Sequence, residues 1–280
     1  MPEGDSVYRF ASRLRAVLQG QRIEAARSHG PGPVPQVQRI VGVTCNGVRS
    51  QGKNLIISFD NGLALRGHLR MFGTWHIYTP GQKWERPERD ARLVLTVAGA
   101  EVVNFSAPVI ELIEERALAA HRPVADLGPD LLDDAFDPQE AFRRLREPSR
   151  AAVTIGDALM DQRVMAGVGN IWKHETLFRC RMNPWRRVDE IDDASLLGLI
   201  LKAQELLRAS VGKPGAGGRP TMFVYGRRGR PCRRCNTQLQ SATQGIDIRR
   251  TTWCPRCQAQ STSGTRVASR TGETDDATDS

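Results

Sequence analysis

The chain has 280 residues, 40% hydrophobic and 25% charged, with a formal net charge of +9. That is the balance of a globular protein long enough for two domains. No run of about 18 apolar residues is present and acids stand at positions 3 and 5, which excludes a helical membrane span and a secretory leader, while the basic excess points to an anionic partner, nucleic acid first. In chain order, MPEGDSVYRFASRL reads as a helix with Val7, Phe10, Ala11, Leu14, Val17 and Leu18 on one face, stopped by Gly20. Short β-like runs follow from about residue 20 to 120: RIVGVTCNGVRS, LIISFDNGLALRGHL, GTWHIY, ARLVLTVAG and EVVNFS. Asn61-Gly62 marks a hairpin and Gly99-Ala100 a weaker one, so an antiparallel sandwich or barrel is expected. HRPVADLGPDLLDDAFDPQE reads as a linker. From about residue 138 the pattern is helical, through QEAFRRLRE, VTIGDALMDQRV, NIWKHETLF and ASLLGLILKAQELLRAS. KPGAGGRP (213–220) reads as a loop or hinge, a cysteine module follows, and residues 262–280 have the composition of a disordered tail.

Four of the six cysteines, Cys232, Cys235, Cys254 and Cys257, form two C-x2-C pairs enclosing 18 residues, the spacing of a structural four-thiolate zinc site. Cys45 and Cys180 lie in mixed apolar surroundings and read as packing residues. Between Gly217 and Cys257 there are nine arginines against a single acid, Asp247, a density suited to phosphate. Three other stretches admit a structural and a chemical reading each. Ala166-Gly167-Val168-Gly169-Asn170 is either a plain turn or an anion-binding turn whose Asn170 caps the next helix. Lys53, in QGKNL, is either a solvated strand-edge lysine or a site residue. Arg70, Met71 and Phe72, in HLRMFGTW, either pack in the core or form a loop tip able to enter a base stack. The start itself is double-edged. Pro suits a helix N-terminus and acids suit a first turn. A terminal Pro2, exposed by removal of Met1, is also a secondary amine able to form a Schiff base, with Glu3 beside it as a proton donor.

Taken together, MPEG, QGKNL, DQRVMAGVGN, VYGRRGRPCRRC and RRTTWCPRCQ, in that order over residues 1 to about 260, make the chain resemble the formamidopyrimidine-DNA glycosylase and endonuclease VIII family, with the start MPEG closer to the endonuclease VIII branch. The resemblance implies a multidomain α+β fold: an N-terminal helix and antiparallel β-sandwich (1–125), a linker (126–137), a helical domain with a helix–two-turn–helix motif (138–218) and a four-cysteine zinc-bound β-hairpin finger (219–261). It implies Pro2 as nucleophile, Glu3 as acid–base and Lys53 as the lysine assisting strand cleavage. It implies DNA contacts from Asn170, Arg249, Gly167 and Gly169, a wedge of Arg70, Met71 and Phe72 filling the hole left by a flipped nucleotide, and one structural Zn2+. The expected activity is bifunctional: a DNA glycosylase and abasic-site lyase that removes oxidised pyrimidines and cuts by β,δ-elimination. The same chemistry on oxidised purines, a non-catalytic damaged-DNA binder and a zinc-ribbon transcription factor are the alternatives, the last explaining none of the first 125 residues. The expected partner is damaged DNA, duplex or with single-stranded or bubble character, bound by a monomer in the bacterial cytoplasm, at the nucleoid while acting, with no membrane. One departure stands out. The family commonly has Glu at the sixth position, where this chain has Ser6, preceded by Asp5.

Overall fold

The structure, a computed structural model, describes residues 2–30, 35–212, 221–245 and 248–259. The expected loop at 213–220 and the expected disordered tail at 262–280 lie outside the described residues. Helix α1 (Gly4–Leu18) follows the expected face: Val7, Ala11, Leu14 and Leu18 are each at most 2% exposed. They pack on a sandwich of eight strands: β1 (Ala25–Ser28), β2 (Cys45–Gln51), β3 (Asn54–Phe59), β4 (Leu63–His68), β5 (Thr74–Tyr78), β6 (Ala91–Val97), β7 (Ala100–Phe105) and β8 (Val109–Glu114). The choice between sandwich and barrel falls to the sandwich. There are two four-stranded antiparallel sheets, ordered β1-β6-β7-β5 and β2-β3-β4-β8. Asn61-Gly62 makes the β3–β4 turn, and Gly99 the β6–β7 turn.

Strand β3 is buried at all six positions, which explains its unalternating sequence. Leu55, Ile57 and Phe59 face the sandwich core, and Ile56 packs on the other side with Ala64, Leu118 and Val124. Cys45 lies in the sandwich core, and Cys180 packs against the helical core, as expected.

After α2 (Arg122–Ala125), whose Val124 packs on the outer side of the sandwich, the second half contains α3 (Pro138–Leu145), α4 (Ile155–Ala158), α5 (Asn170–Arg179) and α6 (Asp193–Val211) around a core of Leu145, Ile155, Trp172, Leu177, Leu199 and Ile200 with their neighbours. Only one turn of the expected VTIGDALMDQRV helix forms. Beyond it, side chains take over the backbone: Asp161 Oδ1 accepts from Arg163 N (3.0 Å), and Gln162 Nε2 donates to the Met160 and Val168 carbonyls (2.8 and 2.9 Å), in place of a helical ladder. Within the segment read as a linker, Leu131 is part of this helical core. The finger hairpin pairs β9 (Gln240–Gln244) with β10 (Arg249–Trp253). Among the described residues, no helix is long and apolar enough to cross a membrane.

Candidate active site and nucleic-acid interface

The start of the chain is built into the second half of the molecule. Gly4 N donates to the Gly167 carbonyl at 2.9 Å. Glu3 is 1% exposed, and its carboxylate accepts from Ile171 N (2.7 Å), Gly169 N (3.1 Å) and Trp172 N (3.2 Å). These are orphan donors of the first turn of α5, where the helix dipole favours a negative charge. Asn170 therefore does not cap α5 as the sequence suggested. The helix begins at Asn170 itself, with Gly169 in the cap position and Glu3 supplying the acceptor. Asn170 Nδ2 instead donates to the Arg250 carbonyl (3.3 Å), joining α5 to the finger. The glycines are needed for this approach: a Cβ on Gly169 would lie 2.3 Å from Glu3 Cδ, and one on Gly4 2.7 Å from Gly167 Cα.

Burial pushes the Glu3 carboxyl above its ordinary range, opposed by the positive charge of Lys53 and by the donors of Ile171 and Trp172. Burial lowers Lys53 to about 8, against the attraction of Glu3 and with further lowering by Arg249. Lys53 sits on the β2–β3 turn, and that turn is held from the other half: Gly52 N donates to Asp130 Oδ2 at 2.6 Å, while Asp130 Oδ1 accepts from Leu132 N at 3.0 Å.

Pro2 and Lys53 line different clefts. Pro2 opens on one of about 490 Å³ between α1 and the 71–74 loop. Lys53 opens on one of about 320 Å³ with Arg66, His68, Arg70 and Arg163. Glu3 connects them, next to Pro2 in the chain and electrostatically coupled to Lys53. In the cationic cleft His68 is held neutral, at about 4, by burial and then by Arg70 and Lys53.

Arg70, Met71 and Phe72 form a loop tip and not a core contact, for Met71 is 56% and Phe72 74% exposed. The loop is tight. Gly73 N donates to the Leu69 carbonyl (2.9 Å), where a Cβ would meet that oxygen at 2.6 Å, and Arg70 holds a positive φ of 49° with its N–H on His68 Nδ1 (3.2 Å). Such geometry presents two large apolar side chains to solvent.

Arg249 lines a third cleft, about 920 Å³, between the finger and α4, with Lys173, Asp157 and Gln244. Its floor is a chain of buried polar groups absent from the sequence reading. Lys173 Nζ donates to Thr251 Oγ1 (2.7 Å), Thr251 to Gln244 Oε1 (2.8 Å), and Gln244 Nε2 to the Pro184 carbonyl (2.8 Å). Burial lowers Lys173 to about 8. Glu175, also missed, accepts from Phe223 N, Val224 N and Tyr225 N at 2.9–3.1 Å and anchors the finger's approach to α5. His174 does the same for β10: its Nδ1 donates to the Asn170 carbonyl and its Nε2 accepts from Thr252 N (2.7 Å). Burial holds it neutral, at about 3. The only signal for these residues in the sequence was KHET on a helix that is otherwise apolar, polar groups that become informative only once α5 is known to be covered on all sides.

The sulfurs of Cys232, Cys235, Cys254 and Cys257 lie within 4.8 Å of one another. Cys235–Cys254 are 3.4 Å apart and Cys232–Cys257 4.0 Å apart. A tetrahedral ion with Zn–S bonds of ~2.3 Å sets its sulfurs about 3.8 Å apart, so the cluster fits a zinc ion with all four positions filled.

The comparisons agree with this geometry. Residues 1–108 match the family model described as the formamidopyrimidine-DNA glycosylase N-terminal domain, and 127–219 the formamidopyrimidine-DNA glycosylase H2TH domain. The chain is 38% identical over 268 residues to a probable endonuclease 8 2 of Streptomyces coelicolor, covering 92% of this chain and 94% of that protein. It is 34% identical over 270 residues to the DNA-(apurinic or apyrimidinic site) lyase Nei2 of Mycolicibacterium smegmatis, covering 93% of this chain and all of that protein. The fold matches Lactococcus lactis formamidopyrimidine-DNA glycosylase, solved bound to abasic-site DNA, with a TM-score of 0.81 at 24% identity, over 92% of this chain and 100% of that one.

Proposed function

The chain belongs to the formamidopyrimidine-DNA glycosylase and endonuclease VIII family, and on that footing we propose that it excises oxidised pyrimidines from DNA through an imine at Pro2. It is a bifunctional DNA glycosylase and abasic-site lyase of base excision repair. The observation that carries the residue assignment is Glu3: a fully buried carboxylate adjacent to Pro2, raised by burial, and coupled to the charge of Lys53.

The Pro2 nitrogen, freed by loss of Met1, attacks C1′ of the flipped nucleotide. The glycosidic bond breaks and the base departs with its bonding electron pair and the N–H proton that the attacking amine gives up. Glu3 protonates O4′ as the sugar ring opens, leaving an iminium between Pro2 and C1′. Conjugation with the iminium acidifies C2′–H. Loss of that proton expels the 3′ phosphate, and a second elimination expels the 5′ phosphate. Lys53, cationic at neutral pH, holds a phosphate or sugar oxygen beside the reacting carbon. Arg249 and Asn170 grip the phosphates around the lesion, with the turn Gly167–Gly169 against the backbone, and Met71 and Phe72 with Arg70 fill the vacated stack. A single zinc ion on the four thiolates fixes the hairpin that carries Arg249. The protein acts as a monomer in the bacterial cytoplasm.

Borohydride reduction on duplexes carrying 5-hydroxyuracil, or 8-oxoguanine opposite cytosine, followed by peptide mapping, tests this. An adduct on the N-terminal peptide, formed with 5-hydroxyuracil in preference, is the expected result. An adduct on the Lys53 peptide would reassign the nucleophile, and a purine preference would overturn the substrate class.

A further inference from the structure

The 490 Å³ cleft beside Pro2 has an unusual lining. On its α1 side stand Ser6, Arg9 and Arg13, and across it Arg86 with the 71–74 loop. Among the described residues, no carboxylate lines it. Asp5, the acid that precedes Ser6 in the chain, is already paired. It is 6% exposed, its Oδ2 accepts from Arg9 Nη2 at 2.8 Å, and its Oδ1 accepts from the Ser6 hydroxyl at 3.4 Å. Asp5 therefore does not replace the glutamate missing at position 6. It holds Arg9. The guanidinium is fixed from a second side as well, since Arg9 Nη1 donates to the Ser210 carbonyl at the end of α6 at 3.0 Å. Arg9 Nη2 also reaches the Ser6 Oγ at 3.4 Å, which makes the two a single polar unit at the rim of the cleft.

We propose that Arg9 and Ser6 are specificity-determining residues: Arg9 reads the damaged base by offering it hydrogen-bond donors, and Ser6, whose hydroxyl is turned to Asp5, leaves that side of the cleft without a carboxylate acceptor. The inference rests on Pro2 as the attacking amine. With C1′ at Pro2, the base is one bond away, and a cleft of this size takes a nucleobase. An arginine has N–H donors and no acceptor. A base edge carrying carbonyl or enolate oxygens, such as that of 5-hydroxyuracil, pairs with it. An edge that presents its own N–H, such as the N7–H of 8-oxoguanine, faces donor against donor and forgoes that hydrogen bond. Fixing Arg9 through Asp5 and Ser210 lowers the ordering cost of each contact. The selection of base class is thus placed on α1 itself, one turn and two turns after the nucleophile.

Single-turnover excision of 5-hydroxyuracil and of 8-oxoguanine, and strand cleavage at a preformed abasic site, measured in parallel, test the proposal. Arg9→Gln is expected to lower kcat/KM on 5-hydroxyuracil roughly tenfold more than on the abasic site, which has no base to read. Ser6→Glu, which places an acceptor in the cleft, is expected to shift the ratio of the two lesions toward 8-oxoguanine by about tenfold. Equal losses on all three DNAs, with a salt slope shallower by about one, would assign Arg9 to a phosphate and overturn the proposal. An unmoved lesion ratio in Ser6→Glu would overturn it too. Arg9 is on the surface, and thermal melting checks that Arg9→Gln folds; if it does not, Ser6→Glu decides alone. Failure of the Pro2 assignment is read separately, as the absence of a borohydride adduct on the N-terminal peptide with abasic DNA.

Discussion

Ile171 donates its backbone N–H to the Glu3 carboxylate at 2.7 Å, a bond across 168 positions of sequence. The acid next to the chain terminus is thus the N-terminal acceptor of a helix in the other half of the molecule. Docking the two halves and placing the acid are one event. Substituting Gly169→Ala should separate them. The new Cβ would stand 2.3 Å from Glu3 Cδ, so the carboxylate must leave and its three N–H partners lose it. We expect a stability loss of about 2–4 kcal/mol and an excision rate down at least about 100-fold, the scale of lost acid–base catalysis. Thermal denaturation and single-turnover kinetics measure both, and full activity in this variant would remove Glu3 from the mechanism.

That bond also marks the limit of the sequence. MPEG, the AGVGN turn and the two C-x2-C pairs were legible because each is a local pattern with its own geometry. So were α1 and the Asn61-Gly62 hairpin, where periodicity and turn chemistry agree. The partner of α5 was not legible, since a helix cap usually lies next to its helix and Asn170 was the local candidate. Strand β1, Ala-Ala-Arg-Ser, was missed for want of any apolar alternation; it exists by pairing with Leu93–Thr96 of β6. Asp130 and Glu175 carry no local signal, for only tertiary structure delivers the backbone N–H groups they bind.

Lys53 gives a pH signature. Burial depresses it to about 8 from an ordinary value of 10.5. If its cation holds DNA, kcat/KM, which reports the free enzyme, should fall as pH rises through about 8, and Lys53→Arg should carry that limb beyond the measurable range. The stability sign is opposite. A depressed lysine contributes stability above its unfolded value, and that contribution is lost as pH falls through about 8. Lys53→Met should therefore raise the melting temperature at pH 7 and lose the advantage by about pH 10.5, though losing attraction to Glu3 trims the gain to roughly 1–2 kcal/mol. A flat kcat/KM profile between pH 7 and 9.5 would contradict the role.

Phe72 separates stability from function. At 74% exposure its truncation to Ala removes little packing, and the melting point should stay within the effect of about 0.5 kcal/mol. Excision from duplex DNA should fall about tenfold or more, because nothing then fills the stack when the nucleotide leaves. The same lesion in single-stranded DNA has no stack to hold open and should be processed with a smaller loss. Equal losses on both substrates would speak against a wedge.

The Asp130 latch predicts a loss confined to cleavage geometry. Asp130→Ala frees Gly52 N and loosens the turn that carries Lys53. We expect kcat at a preformed abasic site to fall roughly tenfold with KM nearly unchanged. Asp130→Asn, whose remaining oxygen accepts one of the two N–H groups, should recover part of it. A rise in KM alone would point instead to lost DNA binding.

The four close thiolates lead us to expect that the order of the finger depends on an ion they hold. Its own apolar core is small: Cys232, Leu239 and Cys254 meet Phe178 of α5 and Val224, and Trp253 at the end of β10 packs on Trp185. A hairpin of this size does not hold itself together, so the free energy of metal binding is its folding free energy. Cys254→Ser, or a strong chelator, should release about one zinc per chain. With the hairpin loosened, the Thr252–His174 bond and the Lys173–Thr251 bond are lost, and Arg249 no longer has a fixed position on the cleft wall. DNA affinity should then fall about 100-fold, with a shallower dependence on salt as phosphate contacts disappear. The sandwich shares none of these bonds and should keep its β-sheet circular dichroism. Metal analysis of the purified protein, with binding isotherms before and after chelation, tests each step, and zinc-free protein that binds DNA as tightly as before would show that the hairpin does not carry the grip.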